Sequence, residues 1–356
     1  MNIIHLITGL NIGGAENMLL AISQGLINER HKITVVFLKP SANFLESKFL
    51  NSGVQVQCFN LYNFPFIFFN LIRLIFFIHR GRFDILHCHL IHSLLIGLIV
   101  RLLLRIRVVV TIHSVNEGGG IFRYIIQRSL GYFSKVFFIS DHVLDSFNKN
   151  GYYSNTTVLY NFIDFDFVNN NNHNKLDIDY PLFCTISRLD VIKNICSIVE
   201  SFSYFQKKVP GAKLHIYGNG PDEINIRKLV ESLNLNNSII LKGHINSSHE
   251  ILKSYNFFVT ACAAEGFGMS LLEAASHGKF CIAICNPSHK FILEGSVYCH
   301  IFDSNCKSFI QDGYDSYMSK YLINNSFEYN LRLRTLFDYN NYIKKLVNIY
   351  SEILNI

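Results

Sequence analysis

Short, continuously apolar runs alternate with helical patterns along almost the whole chain, and this constrains the fold more than any other feature. Residues 3–8, 33–38, 85–89, 108–113, 136–140 and 157–160 read as strands, with helical segments such as 15–26 between them. A strand that is apolar at every position must be covered on both faces. That condition is met by a parallel sheet flanked by helices. The alternation stops once, where residues 169–174 are Asn at every position but one, and then restarts. Strands are expected at 182–187, 213–217, 238–241, 257–261 and 280–284, and a closing helix at 341–354 with an apolar stripe through Ile343, Leu346, Val347, Tyr350 and Leu354. The fold class expected is α/β: two Rossmann-like parallel-sheet domains facing a cleft. They would occupy residues 1–165 and 181–338, joined by a linker or loop at 166–180, with residues 339–356 as a final helix.

The length, 356 residues, suits two ordinary domains. Hydrophobic residues at 49% against 16% charged exclude a mainly disordered chain. The net charge of +6 is too mild and too scattered for a nucleic-acid protein, but it suits an anionic substrate or an anionic membrane surface. Nine cysteines without a Cys-x-x-Cys pair give no disulfide or zinc framework. The start, Met1-Asn2-Ile3-Ile4-His5, runs straight into a strand, so reduced thiols and a cytoplasmic location are expected. Residues 64–78 and 90–104 are very apolar, yet short of the roughly 20 residues a spanning helix needs. They are either core helices or, for the first, a monotopic patch. In that patch the phenylalanines between 64 and 77 would enter the interface, while Arg73, His79, Arg80 and Arg82 met head groups.

Open parallel sheets bind ligands beyond the carboxyl ends of their strands, so the residues just after each strand matter most. The richest stretch is Glu265-Gly266-Phe267-Gly268-Met269-Ser270-Leu271-Leu272-Glu273. Here a strand, a glycine turn and a helix follow one another, and the helix start offers free N–H groups and a partial positive charge that suit a phosphate. Glu265 would stand at the loop mouth and Glu273 about a turn into the helix. Arg188 and Lys193 follow the first strand of the second half, where both cations could converge on one diphosphate. Gly13 and Gly14 open the first helix, and Gly218 belongs to the turn Tyr217-Gly218-Asn219-Gly220-Pro221. His113 ends a strand at the same edge and could hydrogen-bond a sugar. His87-Cys88-His89 with His92 invites a metal reading. Alternate strand residues face opposite ways, however, which turns Cys88 from both histidines and argues against it.

Taken in order, these segments resemble the retaining glycosyltransferases of family 4. The resemblance rests on Gly13-Gly14-Ala15-Glu16, Leu86-His87-Cys88-His89, Thr111-Ile112-His113, Ser187-Arg188-Leu189 with Lys193, the 217–221 turn, Leu241-Lys242-Gly243-His244, and Glu265 through Gly278. It implies the two-domain GT-B fold, the last helix crossing back to the first domain. It also implies transfer of a sugar from a UDP- or GDP-sugar to a glycan or an undecaprenyl-diphosphate-linked acceptor, as in O-antigen or capsule assembly at the inner membrane face. Arg188 and Lys193 would neutralise the leaving diphosphate, helped by backbone N–H groups near Phe267, Gly268, Met269 and Ser270. Glu265 would contact the donor sugar, Glu273 the ribose, His113 the transferred sugar, and Gly13, Gly14, Gly218 and Gly266 would let backbone approach substrate. Neither metal nor other cofactor is implied, and Asp164-Phe165-Asp166 and Asp177-Ile178-Asp179 read as loop acids. Two departures stand out. Asn161-Phe162-Ile163-Asp164 replaces an Asn-Gly before Ile/Val-Asp, and Cys285-Asn286-Pro287-Ser288-His289-Lys290 replaces a Gly-Gly loop followed by Pro-Glu. A GT-B nucleotide-sugar 2-epimerase and a silent glycan-binding or scaffold protein are the alternatives.

Overall fold

The computed structural model describes residues 1–10, 13–40, 44–115, 117, 120–147, 153–168, 180–245, 247–320 and 326–355. The Asn-rich stretch and the pair Asp177 and Asp179 lie outside them. The chain forms two compact units, Met1–Phe162 with Tyr339–Ile356, and Ile163–Asp338.

The first unit is built in the order β1 (Asn2–Ile7), α1 (Gly14–Asn28), β2 (Lys32–Phe37), α2 (Phe44–Asn51), β3 (Gln55–Cys58), α3 (Ile67–Arg80), β4 (Ile85–His89), α4 (Ile91–Leu103), β5 (Arg107–Ile112), α5 (Ile121–Ser129), β6 (Lys135–Phe138), α6 (Asp141–Phe147) and β7 (Thr156–Val158). Its seven strands are all parallel, in the order β3-β2-β1-β4-β5-β6-β7. Parallel crossovers are right-handed. The chain first steps from β1 outward to β3 and then from β4 the other way, which puts α1 and α2 on one face of the sheet and α3 to α6 on the other. Strands β1, β4 and β5 are buried at nearly every residue, as their unbroken apolar runs require.

The second unit runs β8 (Leu182–Ile186), α7 (Ile195–Lys208), β9 (Lys213–Tyr217), α8 (Glu223–Ser232), β10 (Ile239–Gly243), α9 (Ser248–Leu252), β11 (Phe257–Thr260), α10 (Met269–Ser276), β12 (Phe280–Ile284), α11 (Pro287–Leu293), β13 (Cys299–Phe302), α12 (Phe309–Lys320) and α13 (Ser326–Phe337). Its six parallel strands are ordered β10-β9-β8-β11-β12-β13. Helix α7 shows why the elements pack. Ile195, Ile198, Val199, Phe202 and Phe205 recur at helical spacing and are buried, while Lys207 and Lys208 meet the negative end of the dipole. Phe183 stacks on Phe257 with centroids 4.5 Å apart, at the centre of a phenylalanine-rich core. Each such side chain contributes about 1.5–3 kcal/mol on burial.

The closing helix α14 (Tyr339–Leu354) belongs to the first unit and lies against α1. Gly25 permits the approach, since a Cβ there would sit 2.6 Å from the Ile343 side chain. Tyr339 donates to the Ala21 carbonyl at 3.0 Å.

Two strands escape the apolar-run criterion, β3 and β13. Both are sheet edges with largely half-exposed residues, so neither carries a continuous apolar run. The two apolar segments of the first unit also separate. Helix α4 buries Leu94, Ile96 and Val100, whereas α3 buries only Leu74 and Ile78 and leaves most of its phenylalanines in solvent, so it is not a core helix.

Candidate active site

In the second unit the chain leaves β8 through Ser187-Arg188-Leu189 into a 3-10 turn, Val191–Lys193, and Asn194 then adopts a left-handed conformation before α7. Lys193 therefore sits in the turn, ahead of α7. Its Nζ lies 2.7 Å from Glu265 Oε2, with 24% and 21% of the two side chains exposed. Burial works against the charge of Lys193, but Glu265 and, more weakly, Asp190 outweigh it and hold the ammonium above its ordinary range. An ammonium has three N–H donors, so one bond to Glu265 leaves others for a ligand oxygen.

Arg188 is placed differently. Its Nε lies 2.6 Å from Asp190 Oδ2, and 72% of its side chain is exposed. Here the two cations do not form one cluster: Arg188 is held in solvent by Asp190, and Lys193 faces the glycine loop.

That loop follows β11. Gly268 has φ +101°, the left-handed region that favours glycine, and stands as N-cap of α10. Gly266 is buried, and Met269 and Ser270 open the helix half-buried. The Phe267 ring is in the core, 5.6 Å edge-on from Phe337, so only its backbone is available to a ligand. Glu273, one turn into the helix and half-buried, has its carboxyl raised to about 7 by burial, with a hydrogen bond from Ser248 opposing. Gly218 has a steric reason of its own. At φ +128° its α-carbon abuts the Ser187 carbonyl, where any Cβ would collide.

Residues outside the expected set brace this loop from below. Ser288 Oγ donates to the Gly266 carbonyl at 3.0 Å and lies 3.3 Å from that of Glu265. Asn286 Nδ2 donates to the Cys262 carbonyl at 3.0 Å, and Asn286 Oδ1 accepts from the His289 N–H at 2.8 Å. The buried His289 ring lies against Gly268, with a Nε2 that has no hydrogen-bond partner. The segment read as an atypical loop is thus the capped start of α11. Asn followed by Pro is the signal, a cap and first-turn pair.

In the first unit, Gly13 caps α1 and accepts from Asn17 N–H at 3.1 Å. A Cβ on Gly13 would meet the Glu16 carboxylate, whereas one on Gly14 would enter open space. His113, just past β5, is half-buried and its pKa falls to about 4 through burial, so the ring is neutral. It belongs to a connected row. His113 Nε2 lies 3.2 Å from His89 Nδ1, and His89 Nε2 lies 3.1 Å from His5 Nδ1. His87 is bonded at both nitrogens, to Tyr350 Oη at 2.6 Å and Thr111 Oγ1 at 2.7 Å. His5, absent from the sequence reading, arrives because β1 pairs with β4 and sets His5 beside His87. Among the described residues, His5, His87 and His89 could hold a metal ion by proximity. A metal there would have to break the hydrogen bonds just given. Cys88 points the other way, against Gly97 of α4. Glu117 Oε2 accepts from the His113 backbone N–H at 2.6 Å, and burial raises that carboxyl to about 7 against the pull of this bond and of Arg123. Asp164 accepts from Asp166 N–H at 2.9 Å, so it caps a short turn.

Two family models match consecutive stretches of the chain, Glycosyltransferase Family 4 over residues 12–167 and Glycosyl transferases group 1 over residues 168–305. The chain belongs to glycosyltransferase family 4. Its similarity to the poly(glycerol-phosphate) alpha-glucosyltransferase of Bacillus subtilis is 32% identity over 133 residues, 37% of this chain and 17% of that protein. With the N-acetyl-alpha-D-glucosaminyl L-malate synthase of Bacillus anthracis it shares 26% over 222 residues, 57% of each. The matched stretches thus span less than two thirds of these relatives. The structure of Anabaena HepE in complex with UDP and glucose superposes with a TM-score of 0.85 at 15% identity, over 98% of this chain and 99% of that one. The fold is GT-B, two Rossmann-like parallel-sheet domains. Within the family, the brace from Asn286, Ser288 and His289 is what this chain has where the resemblance led to a Gly-Gly loop.

Proposed function

We propose that the protein is a retaining, metal-independent glycosyltransferase that moves a sugar from a nucleotide diphosphate sugar to a glycan acceptor. The observation that carries this is the half-buried Lys193 ammonium, fixed by Glu265 beside the Gly268 turn and the start of α10. A leaving diphosphate gains negative charge in the transition state. A fixed cation and preset N–H groups at that point stabilise it more than the ground state. Lys193 is the principal counter-charge and Arg188 an outer one that must leave Asp190 to reach a phosphate. Glu265 orients Lys193 and the donor sugar. Glu273 accepts from the ribose hydroxyls in its ionised form, so donor binding strengthens as pH rises through about 7. His113, neutral and tethered through His89, hydrogen-bonds the transferred sugar. The UDP held by Anabaena HepE makes a UDP-sugar the first donor to test.

The acceptor is lipid-linked, as in O-antigen or capsule assembly, and the protein works at the inner face of the cytoplasmic membrane. The exposed phenylalanines and arginines of α3 support this reading. Among the described residues no helix is long and apolar enough to cross a membrane.

A thermal-shift series against UDP, GDP, ADP and CMP tests the donor site. Stabilisation by one diphosphate, lost in Lys193→Ala and weakened in Arg188→Ala, is the expected outcome. No shift with any nucleotide would favour a silent scaffold. Release of an epimerised nucleotide sugar without acceptor would favour an epimerase.

A further inference from the structure

The apolar surface of the first unit extends well beyond α3. Helices α3, α4 and α5 lie on the same face of the sheet by the handedness of their crossovers, and α4 packs against α5. The Arg101 Nε donates to the Tyr132 carbonyl at 3.2 Å, tying the end of α4 to the turn after α5, and Tyr62 meets His92 edge-on at 5.7 Å, linking the approach to α3 with the start of α4. Each helix presents large apolar side chains outward. Phe68, Phe69, Ile72 and Phe76 do so on α3, Leu102 and Leu103 on α4, and Ile121, Phe122 and Tyr124 on α5, with Phe64 84% exposed ahead of α3. Large apolar side chains left in solvent on three helices of one sheet face mark an interaction face.

Charge identifies the partner. None of the residues of α3, α4 or α5 is acidic, while Arg73, Arg80, Arg101 and Arg128 are basic; the fifth arginine, Arg123, is turned inward, donating to the Val115 and Ser146 carbonyls. The helices on the opposite face carry Glu16, Glu46 and Glu352. On the near face, α6 with Asp141 and Asp145 bounds the surface, and Asp84, between α3 and β4, is occupied by the Asn2 N–H at 2.7 Å. The guanidinium groups of Arg73, Arg80 and Arg128 lie over exposed rings, at 5.7 Å from Phe69, 4.2 Å from Phe76 and 5.3 Å from Tyr124. Aromatic tips beside cations, with acids excluded, match the boundary between acyl chains and anionic head groups.

We infer that α3, α4 and α5 together form one docking face for a bilayer that carries anionic lipids, seating the first unit on the membrane through three helices and not through the α3 patch alone. This deepens the membrane-facing part of the function proposed above and rests on that reading for its purpose. Lipid contact is nevertheless read without any sugar nucleotide, so its failure and that of the donor site are separable.

The chain contains no Trp, so single tryptophans report on single positions. Phe68→Trp, Leu103→Trp and Phe122→Trp place one on each helix, and Leu50→Trp, also exposed, places a control on α2. The full-length proteins are mixed with vesicles of phosphatidylcholine alone or with 30 mol% phosphatidylglycerol, and emission is followed with and without brominated lipid. Expected are a blue shift and bromine quenching at all three positions, an unchanged control, and binding weakened at least ~10-fold by omitting the anionic lipid or by high salt. Quenching of Phe68→Trp alone would overturn the three-helix face. Equal quenching of the control would overturn any oriented docking. No vesicle binding, with self-association abolished by the double variant Phe68→Ser/Phe69→Ser, would make the face a protein interface and overturn the lipid assignment. Thermal melting of each variant, with and without UDP, confirms that a lost signal is not a lost fold.

Discussion

The carboxyl ends of the two sheets are built from opposite materials. In the first unit, His5, His87, His89 and His113 form a row of imidazoles that burial keeps uncharged, bonded to one another, to Thr111 and to Tyr350. In the second, a charged pair, Lys193 and Glu265, stands beside a glycine turn and a helix start. The contrast follows from what each end can hold. Neutral ring nitrogens suit hydroxyl groups and do not attract a polyanion, whereas a fixed ammonium with aligned N–H groups suits a diphosphate and cannot be replaced by a neutral donor.

The largest break in this comparison is Lys193→Ala. It should lower the transfer rate with the donor found in the nucleotide screen by about 10²–10³ while leaving the melting temperature nearly unchanged. Lys193→Arg should retain part of the rate. A rate within a few-fold of wild type would remove the charged pair from the chemistry. Gly218→Ala comes next. It forces a Cβ onto the Ser187 carbonyl at a left-handed φ and should cost about 2–4 kcal/mol of stability, read by denaturant unfolding. Nucleotide binding should weaken with it, because the Ser187–Leu189 backbone leads to Lys193.

Tyr350→Phe tests the neutral end. It removes the hydroxyl 2.6 Å from His87 Nδ1, leaves a buried nitrogen unbonded and should cost about 1–3 kcal/mol. Histidine resonances followed by NMR should change across the row while UDP affinity stays constant, and a loss of UDP affinity would mean that the two ends are not independent. The smallest effect is the pH response of Glu273. Its folded pKa, about 7, exceeds the ordinary 4.5, so the folded protein holds the proton more tightly than the unfolded chain. Its contribution is therefore fully present below pH 4.5 and is lost as pH rises to about 7. Glu273→Gln should flatten that falling part of the stability curve relative to wild type. The slope that remains is the sum of Glu117, raised in the same way, and of the buried histidines, whose lowered pKa values make stability rise with pH below about 6.5. UDP binding should show the reverse slope, strengthening over the same range, and no difference between the two proteins would dismiss the buried carboxyl.

Much of this was legible before any coordinates. A strand buried on both faces has to be apolar throughout, so the central strands announced themselves, and β4, β9 and β12 fall at 85–89, 213–217 and 280–284 as read. Glycines at helix starts after strands marked where a ligand could approach. The edge strands β3 and β13 were invisible because half-exposed residues need no apolar run. Equally hidden was the brace under the loop, since Ser288 and Gly266 lie 22 residues apart and meet only when α11 folds against the turn before α10.

By itself, then, the sequence determined the layer architecture, the direction of the sheets and the set of chemical groups at their ends, because period, apolarity and backbone freedom are local properties of a chain. Only the tertiary structure decided which of those groups touch. It paired Lys193 with Glu265, 72 residues further along, whereas Arg188, five residues before Lys193, stays with its near neighbour Asp190. It brought His5 beside His87 through strand pairing and turned the phenylalanines of α3 outward. Contact and exposure depend on segments distant in sequence arriving at one place, and no local pattern encodes that meeting.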